Sequence, residues 1–84
     1  RIKFILASYN VGPGHVFDAI RLADKNGKDP QKWHNNVDEY LLKKTNPQYY
    51  RDPVVKYGYC RGTETVEYVD QVLDRYDHYR NIIN

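Results

Sequence analysis

A Gly-Pro-Gly break at positions 12–14 is the feature that most constrains this chain, because it separates two apolar segments that both have helical spacing. Pro13 suits the first turn of a helix, where its missing N–H would have no partner in any case. The first segment is apolar on most of its surface, which predicts a helix buried on most of its surface, and it should end near Asn10. The second has one apolar stripe and should end at Asn26-Gly27. The sequence therefore predicts a helix, a corner and a second helix.

Two Asx-Pro pairs and a long amphipathic segment predict further helices. Asp29-Pro30 has the form of a helix start, followed by Trp33 as a buried anchor and a short helix that runs to about Lys44. Asn46-Pro47 repeats the same signal. From about Thr63 to Asn81, apolar residues recur at helical spacing, which predicts a long amphipathic helix.

The segment VVKYGYCRG, from Val54 to Gly62, is the least helical part of the chain. It is β-branched, rich in tyrosine and bounded by glycine, which favours an extended loop or a short hairpin-like excursion. The predicted fold is therefore all-α with one tyrosine-rich extended loop.

Composition and charge argue against several classes of function. The formal net charge is +2 and the acids and bases are interspersed, which is too weak and too mixed for a nucleic-acid interface. The single cysteine, Cys60, excludes an internal disulfide and should be buried and unreactive. The three histidines, His15, His34 and His78, are too far apart in sequence for a local metal site. We expect no metal and no other cofactor.

Glu64 and the tyrosines are the residues whose chemistry could serve a ligand. Glu64 follows Arg61-Gly62-Thr63 at the predicted start of a helix. It is either a first-turn acid that complements the helix dipole or a binding residue, and spacing alone does not decide. The nine tyrosines offer apolar faces with a hydroxyl rim, which suits sugar rings, although most tyrosines of small domains lie at the edge of the core.

Two ordered motifs resemble the lytic murein transglycosylases of the goose-type-lysozyme-like group. FILASYNVGPGHVFDAIRLA, from Phe4 to Ala23, is similar to the Ala-x-Tyr-Asn-x-Gly-x-Gly segment of that family. YGYCRGTETVEYV, from Tyr57 to Val69, resembles its later Arg-Gly-x-Glu-x-x-x-Tyr-Val segment, especially in one membrane-bound subgroup, and the intervening DPQKWHNNVDEYL also fits. The resemblance covers nearly the whole chain. It implies the C-terminal half of a lysozyme-like transglycosylase (SLT) domain.

The resemblance implies cleavage of peptidoglycan between N-acetylmuramic acid and N-acetylglucosamine without water. In the family, one glutamic acid protonates the leaving glycosidic oxygen and then accepts the proton of the muramyl 6-hydroxyl as it attacks C1, which leaves a 1,6-anhydromuramyl end. That glutamate belongs to a Glu-Ser motif ahead of a Gly-Leu-Met-Gln segment. This chain has neither, because Ser8 follows Ala7 and methionine is absent. We therefore expect the chain alone to be inactive.

In the first motif, the resemblance assigns roles to four residues. Tyr9 would be a supporting catalytic residue, with its hydroxyl facing the catalytic carboxylate or the adjacent sugar. Asn10 would lie next to it at the helix end. Gly12 and Gly14 would let the backbone turn close to the glycan. All four are predicted substrate-binding residues.

In the later motif, Glu64 and Tyr68 would line the same groove and hold the glycan or the stem peptide. Arg61 matches an arginine of the subgroup, and its role stays open. The implied partner is the peptidoglycan glycan strand. The implied location is the cell envelope, periplasmic or associated with the outer membrane, with any membrane attachment through parts of the parent protein outside this chain.

The chain opens with RIKFILA, which is already apolar and periodic and has neither an initiator Met nor an N-cap residue before it. We expect residues 1–84 to be the C-terminal portion of a transglycosylase catalytic domain whose glutamate lies upstream. Two alternatives stay open. One is a noncatalytic helical module that binds peptidoglycan or another glycan, and the other is a lysozyme that hydrolyses the bond and leaves a reducing sugar.

Overall fold

The computed structural model describes residues 1–83, which form five α-helices joined by turns. The helices are α1 (Ile2–Val11), α2 (Pro13–Lys25), α3 (Asp38–Lys43), α4 (Pro47–Tyr50) and α5 (Thr63–Ile83). No strand occurs among the described residues. The predicted all-α class is confirmed, and the helical content is that expected of a lysozyme-like fragment. The tyrosine-rich segment lies outside the helices, as predicted.

The corner between α1 and α2 forms at the predicted Gly-Pro-Gly break. Gly12 has φ of 96°, a value that residues with a side chain rarely adopt. Its N–H donates to the Ser8 carbonyl at 2.9 Å and closes α1, and Pro13 occupies the first turn of α2. The local sequence therefore sets the point at which the chain changes direction.

The prediction that a helix starts at Asp29-Pro30 is wrong. A carboxylate oxygen of Asp29 accepts a hydrogen bond from the Gln31 N–H at 2.9 Å, which closes a tight turn instead. Lys32 is extended, and the wide turn Trp33–Val37 that follows has Asn35 at φ of 60°. A regular helix, α3, begins only at Asp38. Asx-Pro pairs occur in turns as well as at helix starts. Here the turn supplies the hydrogen bond that the Asp29 carboxylate would otherwise accept at a helix start.

Asn46-Pro47 carries the same signal and does start a helix. The Asn46 side chain accepts a hydrogen bond from the Gln48 N–H at 3.0 Å, and Pro47 is the first residue of α4. This prediction is confirmed, as is the burial of Trp33, which is 4% exposed. The Trp33 ring packs edge-on against Phe4 with 5.6 Å between ring centroids, which fixes α1 to the turn before α3.

The expectation that α1 is buried on most of its surface is wrong. Ala7 is fully buried, but Ile2 and Ile5 are each 54% exposed and Tyr9 is 85% exposed. Helices α2 and α5 both contact α1, and within the described residues nothing covers the side that carries Ile5 and Tyr9. The apolar spacing is real, but only one side of the helix enters this core.

The core lies around α2 and also includes residues from α1, the turn before α3, α3 itself, the tyrosine-rich loop and the first turns of α5. Its buried apolar members are Ala7, Val16, Ala19, Leu22, Ala23, Trp33, Val37, Tyr40, Leu41, Cys60 and Val69. Helix α5 approaches α3 so closely at Gly62 that a Cβ there would lie 2.7 Å from the Leu41 carbonyl oxygen. A side chain at Gly62 would therefore push the start of α5 off the core.

A fully buried ion pair between Asp18 of α2 and Lys44, which follows α3, lies beside this apolar core. The Lys44 Nζ donates to Asp18 Oδ2 at 2.6 Å, and both side chains have no exposed surface. Arg21 donates to Asp18 Oδ1 at 2.6 Å. A buried ion pair is tolerated only when its remaining hydrogen-bonding capacity is also satisfied, and the surroundings of Asp18 meet that condition.

The same carboxylate also holds the tyrosine-rich loop. The backbone N–H groups of Lys56 and Tyr57 donate to the two oxygens of Asp18 at 2.7 Å and 2.9 Å. Arg21 donates to the Val54 carbonyl at 2.8 Å. Asp18 therefore joins α2, the end of α3 and the loop, and the loop is fixed without forming a strand.

Helix α5 extends beyond the rest of the molecule. It has 21 residues and is about 31 Å long at 1.5 Å per residue. Its first turns bury Thr65 and Val69, whereas every residue from Asp74 to Ile82 is exposed. None of the helices in the described part of the chain combines the length and the apolar character that a membrane span requires.

Replacing Lys44 by methionine should strongly destabilise the chain, because it leaves the buried carboxylate of Asp18 without its ammonium partner. Loss of one member of a buried pair lowers the free energy of unfolding by about 3 to 5 kcal/mol. Arg21 and the two loop N–H groups still donate to Asp18, so we expect a change near the lower end of this range. Urea unfolding followed by circular dichroism measures the change.

The matched control is Lys43→Met, because Lys43 is the neighbouring lysine and only contacts the faces of Tyr40 and Tyr49. It should cost less than about 1 kcal/mol. Equal effects of the two substitutions would contradict a structural role for the Asp18–Lys44 pair.

Candidate functional site

The two motif segments meet where α1 ends and α5 begins. The Thr65 hydroxyl donates to Oδ1 of Asn10 at 2.6 Å, across a separation of 55 residues. Along the same interface, Ile2 and Leu6 of α1 face Leu73 and Tyr76 of α5 across an apolar groove. Asn10 thus pairs with the start of α5 and Ile2 with its later turns, so the two helices run antiparallel.

Tyr9 and Asn10 lie together on the exposed end of α1, as the motif predicts. The Tyr9 side chain is 85% exposed, and its hydroxyl makes no hydrogen bond among the described residues. Asn10 is also exposed, but its amide oxygen is engaged by Thr65. The Tyr9 hydroxyl is therefore accessible to a ligand, whereas one of the two polar side-chain atoms of Asn10 is already hydrogen-bonded.

Gly12 and Gly14 each require glycine, but for different structural reasons. Gly12 needs its positive φ at the corner and has open space around its Cα. Gly14 lies under the Tyr57 ring, and a Cβ there would approach three ring atoms at 2.8 to 2.9 Å. Gly14 therefore accounts for the position of the tyrosine-rich loop, and whether it also approaches a glycan stays a prediction.

The residues of the later motif lie at the start of α5. Glu64 is exposed in the first turn and lines an open cleft together with Arg61, Thr63 and Glu67. Tyr68 lies one turn further along and is half-buried, with its side chain packed against the core. Arg61 and Glu64 are thus accessible to a ligand, and Tyr68 is accessible only in part.

Half-buried His15 joins the buried Lys44 and Asp18 in a polar cluster behind the first turn of α2. Lys44 Nζ lies 2.8 Å from Nδ1 of His15 and 2.6 Å from Asp18 Oδ2. An ammonium can only donate, so Nδ1 must be the acceptor and the ring carries its proton on Nε2. The His15 ring also meets the Tyr57 ring edge-on at 6.3 Å between centroids. The cluster supports the backbone next to Gly14.

Burial and charge shift the titration of this cluster. Burial, and next the charge of Lys44, lower the pKa of His15 from its ordinary value of 6.5, although the charge of Asp18 opposes them. Burial alone would raise the pKa of Asp18. Hydrogen bonds from Lys44, from two loop N–H groups and from Arg21 together outweigh it and lower that pKa from 3.8. The folded state therefore favours neutral His15 and ionised Asp18.

Cys60 is not part of the site. It is 4% exposed, and burial raises the pKa of its thiol, as expected of an unreactive cysteine. No group of three or more potential metal ligands occurs within the described residues.

Sequence reasoning missed Thr65 and the Asp18–Lys44 pair. Thr65 lies inside a quoted motif, but nothing local marks it as the partner of a residue on the first helix. Asp18 and Lys44 are 26 residues apart and look like ordinary surface charges in the sequence. One feature of the sequence could have indicated that Asp18 is buried, namely its place beside the apolar stripe of α2, next to the buried Ala19.

Comparison with known proteins shows what the chain is similar to. No protein-family model matches the chain. Membrane-bound lytic murein transglycosylase F of Desulfosudis oleivorans is 46% identical to it over 77 residues, or 92% of this chain. The proteins of the same name from Shewanella frigidimarina and Marinobacter nauticus are 47% and 46% identical over the same share of the chain. The predicted resemblance to lytic murein transglycosylases, and to this membrane-bound subgroup, is confirmed.

The match is to one segment of longer proteins. The chain spans 16% of the length of the Desulfosudis and Shewanella relatives and 15% of the Marinobacter relative. The similarity therefore concerns a part of a transglycosylase, and it leaves the roles of individual site residues to be tested.

Acidification should destabilise the folded chain in two steps, one below pH 6.5 and one below pH 3.8, because His15 and Asp18 both favour the form present at higher pH. The folded-state pKa of His15 lies below 6.5, so its contribution is complete above pH 6.5 and is lost as the pH falls through the folded value. The contribution of Asp18 is complete above pH 3.8 and is lost below it. Urea unfolding at a series of pH values measures both steps.

The substitution His15→Gln should flatten the upper step, because glutamine can still accept from Lys44 but does not titrate. His34→Gln is the matched control, since His34 is exposed. An upper step that survives in the His15 variant and vanishes in the His34 variant would show that the assignment is wrong.

Proposed function

We propose that this chain forms part of the substrate groove of a peptidoglycan lytic transglycosylase, as the C-terminal portion of its catalytic domain. The observation that carries the proposal is the Thr65–Asn10 hydrogen bond, because it joins two motif segments that lie 55 residues apart. A shared site explains why both motifs occur in one chain. The names of the three relatives support the same class of enzyme.

The reaction of the parent enzyme is cleavage of the bond between N-acetylmuramic acid and N-acetylglucosamine. An upstream glutamic acid donates its proton to the glycosidic oxygen as the bond to C1 breaks. The resulting carboxylate takes the proton of the muramyl 6-hydroxyl, whose oxygen bonds to C1 and closes the 1,6-anhydro ring. The role of this chain is to bind the glycan, with the Tyr9 hydroxyl beside the reacting groups.

The environment of the glutamates within the chain supports an upstream catalytic acid. A general acid of this chemistry has to stay protonated near neutral pH, which burial in an apolar cleft achieves. Glu64 and Glu67 are exposed, and Glu39 is only half-buried, with Lys28 at 3.9 Å. None of the three has the surroundings that the step requires, and we therefore propose that the chain alone is inactive.

The partner in this proposal is the peptidoglycan glycan strand, and the location is the cell envelope, in the periplasm or at the outer membrane. The relatives are called membrane-bound, which supports an envelope location. Attachment to the membrane would come from parts of the parent protein outside residues 1–84.

Peptidoglycan digestion followed by mass spectrometry tests the class of enzyme. The full-length parent protein should release 1,6-anhydromuramyl products, and the 84-residue chain should release none. Reducing ends from the parent would identify a hydrolysing lysozyme instead. Binding of peptidoglycan without any product would favour the noncatalytic glycan-binding module. Release by the chain itself would overturn the upstream position of the acid and make Glu64 the residue to replace.

Tyr9→Phe in the full-length parent should lower turnover about 10-fold or more and leave the melting temperature nearly unchanged, because the lost hydroxyl is exposed and acts only on the reacting groups. Tyr79→Phe is the matched control, since Tyr79 is 64% exposed on the outer half of α5. Initial rates on purified peptidoglycan measure both. Wild-type turnover in the Tyr9 variant would remove this residue from the mechanism.

A further inference from the structure

Thr65 is the one buried hydroxyl group at the meeting point of the two motif segments. Its side chain is 1% exposed, and its Oγ1 lies 2.6 Å from Oδ1 of Asn10. A threonine in a helix often bonds a carbonyl of its own preceding turn, but here the hydroxyl reaches across to α1. Because the buried hydroxyl of Thr65 bonds to another helix, it holds the side chain that accepts the bond.

The fixed group is the Asn10 side-chain amide, and the bond determines which way it faces. The amide has one acceptor atom and one donor atom, Oδ1 and Nδ2. Because Oδ1 accepts from Thr65, the NH₂ group is left without a bond to that hydroxyl. Within residues 1–83, Nδ2 makes no hydrogen bond, and Asn10 is exposed. Two N–H donors are therefore presented to solvent from a side chain that is held in one orientation.

Two of the other proposed groove residues adjoin this hydrogen-bonded pair along the chain. Tyr9 precedes Asn10 and is exposed, and Glu64 precedes Thr65 and is exposed. An amide NH₂ group is an uncharged donor, and it suits an uncharged acceptor oxygen. The acetamido carbonyl of an N-acetylhexosamine is such an acceptor, and a preorganised donor binds it without paying the entropy of ordering.

We propose that Thr65 is a positioning residue that orients the Asn10 amide as a hydrogen-bond donor to the acetamido carbonyl of an N-acetylhexosamine. Thr65 does not touch the sugar itself. The inference rests on the proposed glycan groove and adds the atom that recognises the ligand and the residue that orients it.

The test is an NMR titration of the 84-residue chain with the neutral β-1,4-linked tetrasaccharide of N-acetylglucosamine. Asn10→Asp separates the two roles of Asn10, because a carboxylate still accepts from Thr65 but has no donor. It should keep the fold and bind the tetrasaccharide about 3- to 10-fold more weakly, the loss expected for one hydrogen bond. A neutral probe keeps the added charge from dominating the result.

The Thr65 variants test the positioning. Thr65→Ser keeps the hydroxyl and should retain the wild-type shifts of the Asn10 side-chain NH₂ and the wild-type affinity. Thr65→Val keeps the shape, loses the bond, and should shift the NH₂ signals and weaken binding to the same extent as Asn10→Asp. Thr45→Val is the control, since Thr45 is an exposed residue that follows α3 and its hydroxyl donates to the Leu42 carbonyl.

The outcomes separate this inference from the proposed function. Weaker binding by Asn10→Asp together with rescue by Thr65→Ser supports the inference. Wild-type affinity in Asn10→Asp overturns it, even if the Thr65→Val chain fails to fold. If the wild-type chain sediments with peptidoglycan but does not bind the tetrasaccharide, the donor role is wrong and the groove stands. If it does neither, the proposed groove fails as well.

Discussion

The rest of this structure depends on one buried carboxylate, that of Asp18. It has no exposed surface, and it accepts hydrogen bonds from Lys44, from Arg21 and from two backbone N–H groups of the tyrosine-rich loop. Desolvation of a charge is costly, and the bonds around Asp18 offset that cost only if α2, the end of α3 and the loop are all in place. The arrangement therefore makes the three segments form together. A chain of this size has little apolar core to do so by itself.

The same constraint reaches the candidate site through the loop. Tyr57, whose backbone N–H is bonded to Asp18, lays its ring over Gly14, which follows the corner at Gly12. The corner determines where α1 ends and so where Tyr9 is presented. A polar cluster that has no proposed contact with substrate thus holds the loop that packs against the corner.

The structure brings the two motif segments together, and the binding roles of their individual side chains stay predictions. Tyr9 and Glu64 are exposed and available, as the motifs suggest, whereas Tyr68 is packed largely into the core. Thr65 lay inside a quoted motif, yet its role as the partner of Asn10 could not be read from the sequence. The reason is that a motif fixes which residues are close along the chain, and a partner 55 residues away is fixed only by packing.

The sequence by itself determined the helices and the corner, because their signals are local. Glycine at a positive φ, proline in a first turn and the Asn46 cap act within a few residues, so Gly12, Pro13 and Asn46-Pro47 could be interpreted directly. The Asp29-Pro30 signal failed because a turn and a helix start satisfy the same side chain equally well. Only the tertiary structure decided which charges are buried and which amide is held, since burial and pairing depend on segments that meet after folding.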